Sequence, residues 1–161
     1  MKISALAGVL ICFLAAPELT KCQELEGEEL KGLQRIDVLV EALNKVDDSM
    51  GSNRESLRDQ ILVALKRDIP KITIVKSSPS FVYLQITSIR TAAGAVACVV
   101  VSLERPVEII GDDGRKYPSV ARVWTEGSID LAAVEHIPSR IRDDINQAMT
   151  ALAAEYYKQN P

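Results

Sequence analysis

The sequence has one histidine, three cysteines, one tryptophan and two phenylalanines among its 161 residues. So few histidines and cysteines offer no spacing for a structural zinc, which takes four such ligands. The lone histidine also has no nucleophile motif to serve, because no G-x-S-x-G occurs. Excess positive charge is missing as well. The formal net charge is -3, whereas phosphate neutralisation needs a basic face, so no nucleic-acid partner is expected. Internal repeats and low-complexity segments are absent.

Only one apolar run suits export, and it stands at the start. Met1-Lys2 places a positive charge before residues 3–16. That run is long enough for the core of a secretion signal and too short to span a bilayer. Residues 1–21 therefore read as a signal peptide. Ala15 and Ala16 suit a cleavage site, while Pro17 does not. Residues 22–32 follow as an acidic linker, with Glu24, Glu26, Glu28 and Glu29 crowded together. The remainder, 33–161, has the length of a single domain. Its 47% hydrophobic and 25% charged content is ordinary for a globular protein.

Leu19-Thr20-Lys21-Cys22 resembles a lipobox, in which the cysteine becomes a lipidated first residue. Lys21 departs from the small residue that such boxes place before the cysteine. A free exported protein is expected, with a membrane as partner only if Cys22 carries a lipid. Export would also permit a Cys22–Cys98 disulfide. Cys98 falls inside an apolar run, however, where a thiol behaves as a small hydrophobe.

Beyond residue 32 the pattern alternates between periods of two and of about four. In 33–43, Ile36, Val38, Val40 and Ala42 point one way and Asp37 and Glu41 the other, as in a half-buried strand. Ser52 and Glu55 have the spacing of a capping box. Leu57, Ile61 and Leu65 then recur at helical spacing until Pro70 forbids continuation, predicting a helix over 53–68. Short β-rich segments follow at 71–75 and 81–90. The run 96–110 is almost wholly apolar as far as Leu103 and suits a central strand covered on both faces. Gly111-Asp112-Asp113-Gly114 signals a hairpin, and 119–130 is the returning strand. Pro138 opens a second helix, whose stripe is Ile141, Ile145, Ala148, Leu152 and Tyr156. The order β-α-β-β-β-β-α predicts an α+β two-layer sandwich: a mixed sheet of about five strands, with both helices on one face.

Few side chains invite chemistry. His136 stands at a helix start, where a cap or surface role is commoner than general-base work. Asp112 and Asp113 lack the further carboxylates at fixed offsets that a calcium loop needs, and hairpin chemistry accounts for them. Asp143 and Asp144 diverge by about 100° on a helix, so they share no face. Arg140 and Asp144 have the spacing of a surface ion pair. No catalytic residue, metal ligand or cofactor is expected. Along the last strand, Val120, Arg122, Trp124 and Glu126 alternate with Ala121, Val123 and Thr125. A tryptophan flanked by opposite charges suggests a partly exposed contact surface, so Trp124, Arg122 and Glu126 are the candidate partner-binding residues.

The order of elements resembles small envelope domains of the TolB amino-terminal type and of the curli-secretion lipoprotein type. It resembles more closely a group of uncharacterised secreted bacterial proteins. Those share a strand carrying Trp124-Thr125-Glu126-Gly127, a helix like 141–157, and the ending Asn160-Pro161. The resemblance implies a non-enzymatic envelope protein that takes part in assembly or binds an envelope protein partner. The alternative is a periplasmic carrier of a small molecule or lipid, which would need a sizeable apolar pocket between helices and sheet.

Overall fold

The computed structural model describes residues 29–43 and 53–161. The signal, the lipobox with Cys22, and Ser52 lie outside them. Five strands form one mixed sheet in the order β2-β1-β3-β4-β5. They are β1 (Arg35–Val40), β2 (Thr73–Ile74), β3 (Phe81–Thr91), β4 (Gly94–Ile110) and β5 (Lys116–Ala132). Helix α1 (Arg54–Asp68) crosses over between β1 and β2, and α2 (Ile137–Gln159) closes the chain. β1 lies parallel to both β2 and β3, and β3, β4 and β5 form an antiparallel meander.

The helices pack on each other and on the same face of the sheet. Gln60 of α1 donates to the Arg142 carbonyl and the Asn146 side chain of α2. Between the layers lie Ile61 and Leu65 of α1, Ile141, Ile145, Met149 and Leu152 of α2, and Val82, Leu84, Val99, Val101 and Leu103 of the sheet, all at 2% exposure or less. This is the expected two-layer sandwich. Its α1 begins differently from the sequence reading: Asn53, not Ser52, caps the helix, its Oδ1 accepting from the amides of Glu55 and Ser56.

Two further expectations meet corrections. Asp37 does not face solvent; it is buried, and β1 alternates only in part. β2 is so short that β1 loses its neighbour on that side beyond Ile36. Side chains complete the ladder there: Arg58 Nε donates to the Val38 carbonyl at 3.1 Å and Arg54 Nε to the Val40 carbonyl at 2.7 Å. Asp37 Oδ1 accepts from the Val38 amide and Arg58, and Oδ2 accepts from the Ser77 amide at 2.7 Å. Burial alone would raise this carboxyl. The Ser77 and Val38 amides and the Arg58 guanidinium overcome that and hold it below the usual carboxylate range.

The second correction concerns 29–31, expected within a solvated linker. Leu30 is fully buried, and the end of α2 clamps it. The Leu30 amide donates to Gln159, while Asn160 Nδ2 donates to the Leu30 carbonyl and Asn160 Oδ1 accepts from Gly32. Arg105 holds the same segment through the Glu29 and Lys31 carbonyls.

β4 and β5 outrun β3, whose first residue, Phe81, pairs with Glu104. Beyond that point 105–110 and 116–121 form a two-stranded arm. Gly114, at φ +74°, makes the turn at its tip, where the Arg115 amide donates to Asp113. This accounts for Asp112 and Asp113 as hairpin residues.

Candidate partner-binding surface

Strand register decides where each candidate side chain points. Cross-strand neighbours share a face, and Leu103 of β4 belongs to the core. Trp124 pairs with Leu103, so it stands on the helix-covered face, half-buried against the core. Glu126, opposite Val101, shares that face. Arg122 does not. It pairs with Glu104, because Val123 is an extra residue in β5 that makes a bulge there. On the outer face Arg122 Nε lies 3.2 Å from Glu104, beside Tyr83. The Tyr83 hydroxyl is pushed up, first by burial and then by the charge of Glu41, with Glu104 adding and Arg122 opposing. The strict alternation read from sequence therefore fails at one residue. The three candidates lie along one strand but divide between its two faces.

The same register reveals an apolar surface that the trio does not include. No helix covers the outer face among the described residues. Ile89, Val96 and Leu131 line up there across β3, β4 and β5, with Thr87, Cys98 and Ile129 as the next row. Ile129 is 77% exposed, Leu131 69% and Ile89 61%. The apolar run of β4 is thus covered by helices on one face only; Val96, Cys98 and Val100 meet the open side. Ile129 and Leu131 fall at period two in the sequence, while the apolar run of β4 reads by composition alone as a strand covered on both faces. Cys98 lies within this row and has no disulfide partner among the described residues.

β5 is also the edge strand among the described residues, which leave one side of its backbone ladder unpaired over much of 17 residues. Pro118 and the bulge at Val123 blunt the arm half of that edge. The half from Trp124 to Ala132 carries neither device.

Elsewhere, His136 sits at the N-cap of α2, exposed and making no cap bond. Arg140 forms no ion pair with Asp144, whose side chain turns towards β5 instead. Among the described residues no group of three His, Cys, Asp or Glu side chains could hold a metal ion. A cavity of about 480 Å³ lies beside the free edge of β1, with Arg54, Arg58, Lys76 and Asp37 among its walls.

No protein-family model matches the chain, and no curated protein matches it. Solved structures similar to it include a PelC dodecamer from Paraburkholderia phytofirmans. That match has 15% identity, covers 76% of this chain and 87% of that one, and has a TM-score of 0.37. A minor lipoprotein from Acinetobacter baumannii matches at 13% identity over 80% of this chain and 91% of that one, with a TM-score of 0.30. Both likenesses are loose.

Proposed function

We propose that the chain is an exported, non-catalytic binding module that engages an envelope protein partner along β5. The observation that supports this reading is the exposed apolar end of the sheet, Ile129, Leu131 and Ile89, beside an unpaired strand edge. Contiguous exposed apolar surface is a mark of an interaction site, and a free edge can accept another chain's strand. Trp124 and Glu126 flank that edge on the helix side and Arg122 on the outer side, so a partner grasping β5 would touch all three.

A lipid carrier fits the geometry less well. Among the described residues the space between helices and sheet is filled by side chains, and the cavity beside β1 has charged walls. That cavity suits a small polar ligand better than an acyl chain.

Capture from envelope extracts tests the reading. The wild-type protein should retain a partner that Ile129→Asp and Leu131→Asp lose, with Trp124→Ala weakening retention. Ile129 and Leu131 are exposed, so their variants should stay folded. Retention of the same protein by all three variants would remove β5 as the contact strand.

Export rests on residues 1–21. Replacing Leu10 and Leu14 with arginine should leave the protein in the cytoplasm, because the apolar run is what the secretion machinery reads. Normal envelope levels of that variant would refute the signal assignment.

A further inference from the structure

The stretch of β1 that β2 leaves bare is the floor of the cavity of about 480 Å³. Its walls are the first turns of α1, with Arg54, Glu55 and Arg58, and the turn after β2, with Lys76 and Ser77. Small-molecule sites usually occupy about 300–1,000 Å³. These walls are charged where most such sites are apolar.

The bare edge of β1 is closed to another strand. A peptide added to an edge needs its successive amides and carbonyls. Arg58 and Arg54 already hold the Val38 and Val40 carbonyls, and Asp37 holds the Val38 amide. One backbone donor remains. The amides of Asp37 and Glu41 donate towards β3, to the Ser80 and Leu84 carbonyls, so alternation turns the Val40 amide to the cavity. Among the described residues it meets no acceptor. A backbone donor in that position takes its acceptor from water or from a ligand.

The side chains have the same bias towards donors. Both oxygens of Asp37 are taken, by the Val38 and Ser77 amides and by Arg58. Ser77, in the left-handed region at φ +63°, turns its amide to that carboxylate. Arg54 spends its Nε on the Val40 carbonyl, which leaves its two terminal nitrogens uncommitted among the described residues. Lys76 is exposed and makes no ion pair among them. Asn53 keeps the Glu55 and Ser56 amides, so the helix end is not the donor here. Three cations thus meet two carboxylates, and one of the two, Asp37, is fully engaged.

We propose that this cavity binds a small oxyanion, a carboxylate or phosphate group borne by a small molecule. Arg54 and Lys76 are its charge partners and the Val40 amide its backbone donor. The terminal nitrogens of a guanidinium suit either group, because both present paired oxygens. β1 lies towards the opposite side of the sheet from β5, so the site does not depend on what β5 binds.

Amide NMR of the purified protein tests the site, with inorganic phosphate and succinate as probes at constant ionic strength. A probe that binds should shift the Val40 amide along a saturating curve, and sodium chloride in its place should not. Saturation by phosphate alone assigns a phosphate ligand, by succinate alone a carboxylate, and by both a site that reads the shared oxyanion. Saturation by neither overturns the site. Lys76→Gln touches none of the bonds that hold β1, so the protein should stay folded. It should weaken binding about tenfold or more, as loss of a charge-assisted hydrogen bond does. Arg54→Gln should weaken it at least as much, with the rest of the spectrum reporting on the fold. An unchanged affinity in either variant would overturn the assignment. Glu55→Gln removes a like charge and should tighten binding; weaker binding would contradict the charge balance.

Discussion

Replacing Ile145 with aspartate is expected to lower the stability of the domain by about 4 kcal/mol or more. The residue is fully buried in the middle of the α2 stripe, between Ile141 and Met149. Truncating a buried isoleucine typically costs about 2–5 kcal/mol, and an unpaired charge adds to that. A domain of this size has only about 5–15 kcal/mol in all, so much of it would be lost. The control must sit on the solvent side of the same helix. Gln147 is exposed but lines the same small cavity as Asp144 and Glu126, where a new carboxylate would meet like charge. Thr150 is the better choice, exposed and bonded only to the Asn146 carbonyl of its own helix. Thr150→Asp should change stability by about 0.5 kcal/mol or less, because threonine and aspartate have similar helix propensities. Equal urea midpoints for the two variants would show that α2 does not dock through this stripe.

Asp37→Ala comes next in expected effect, at about 2–4 kcal/mol. One substitution leaves the Ser77 amide without its acceptor, frees the Val38 amide and strips Arg58 of its carboxylate. Asp37→Asn keeps one acceptor oxygen and should cost less. Asp37 has a lowered pKa, so its contribution is present above the ordinary carboxylate value and is lost as pH falls through the folded one. The gap between wild type and Asp37→Asn should therefore narrow in acid. Urea midpoints at pH 7 and pH 3 measure this, and a gap that widens in acid would contradict the assignment.

Which features could be read from sequence follows from the range of the forces involved. The helices were legible because their apolar stripes and stop signals are local: Leu57, Ile61 and Leu65 before Pro70, and Ile141 to Tyr156 after Pro138. The arm's turn was legible for the same reason. The bulge at Val123 was not, since an inserted residue leaves the composition of a strand unchanged and only the partner strand shows the slip. Asp37 read as a solvent-facing residue because period two knows nothing of a neighbouring strand that stops after two residues. Asp144 read as half of a surface pair with Arg140, whereas β5 offers its side chain a closer surface. Of the candidate site, the strand was legible and the division of Arg122 from Trp124 and Glu126 was not.

The clasp of Asn160 on residues 30–32 also gives the molecule a direction. Glu29 and Lys31 are tied to Arg105, and Leu131 pairs with Val96, nine residues away along the same strand. At about 3.3 Å per residue, the point where the chain enters the domain lies about 30 Å from the exposed apolar end of the sheet. Glu29 thus stands at one pole of the domain, with Ile129, Leu131 and Ile89 at the other, so whatever engages one end of the sheet leaves the other clear.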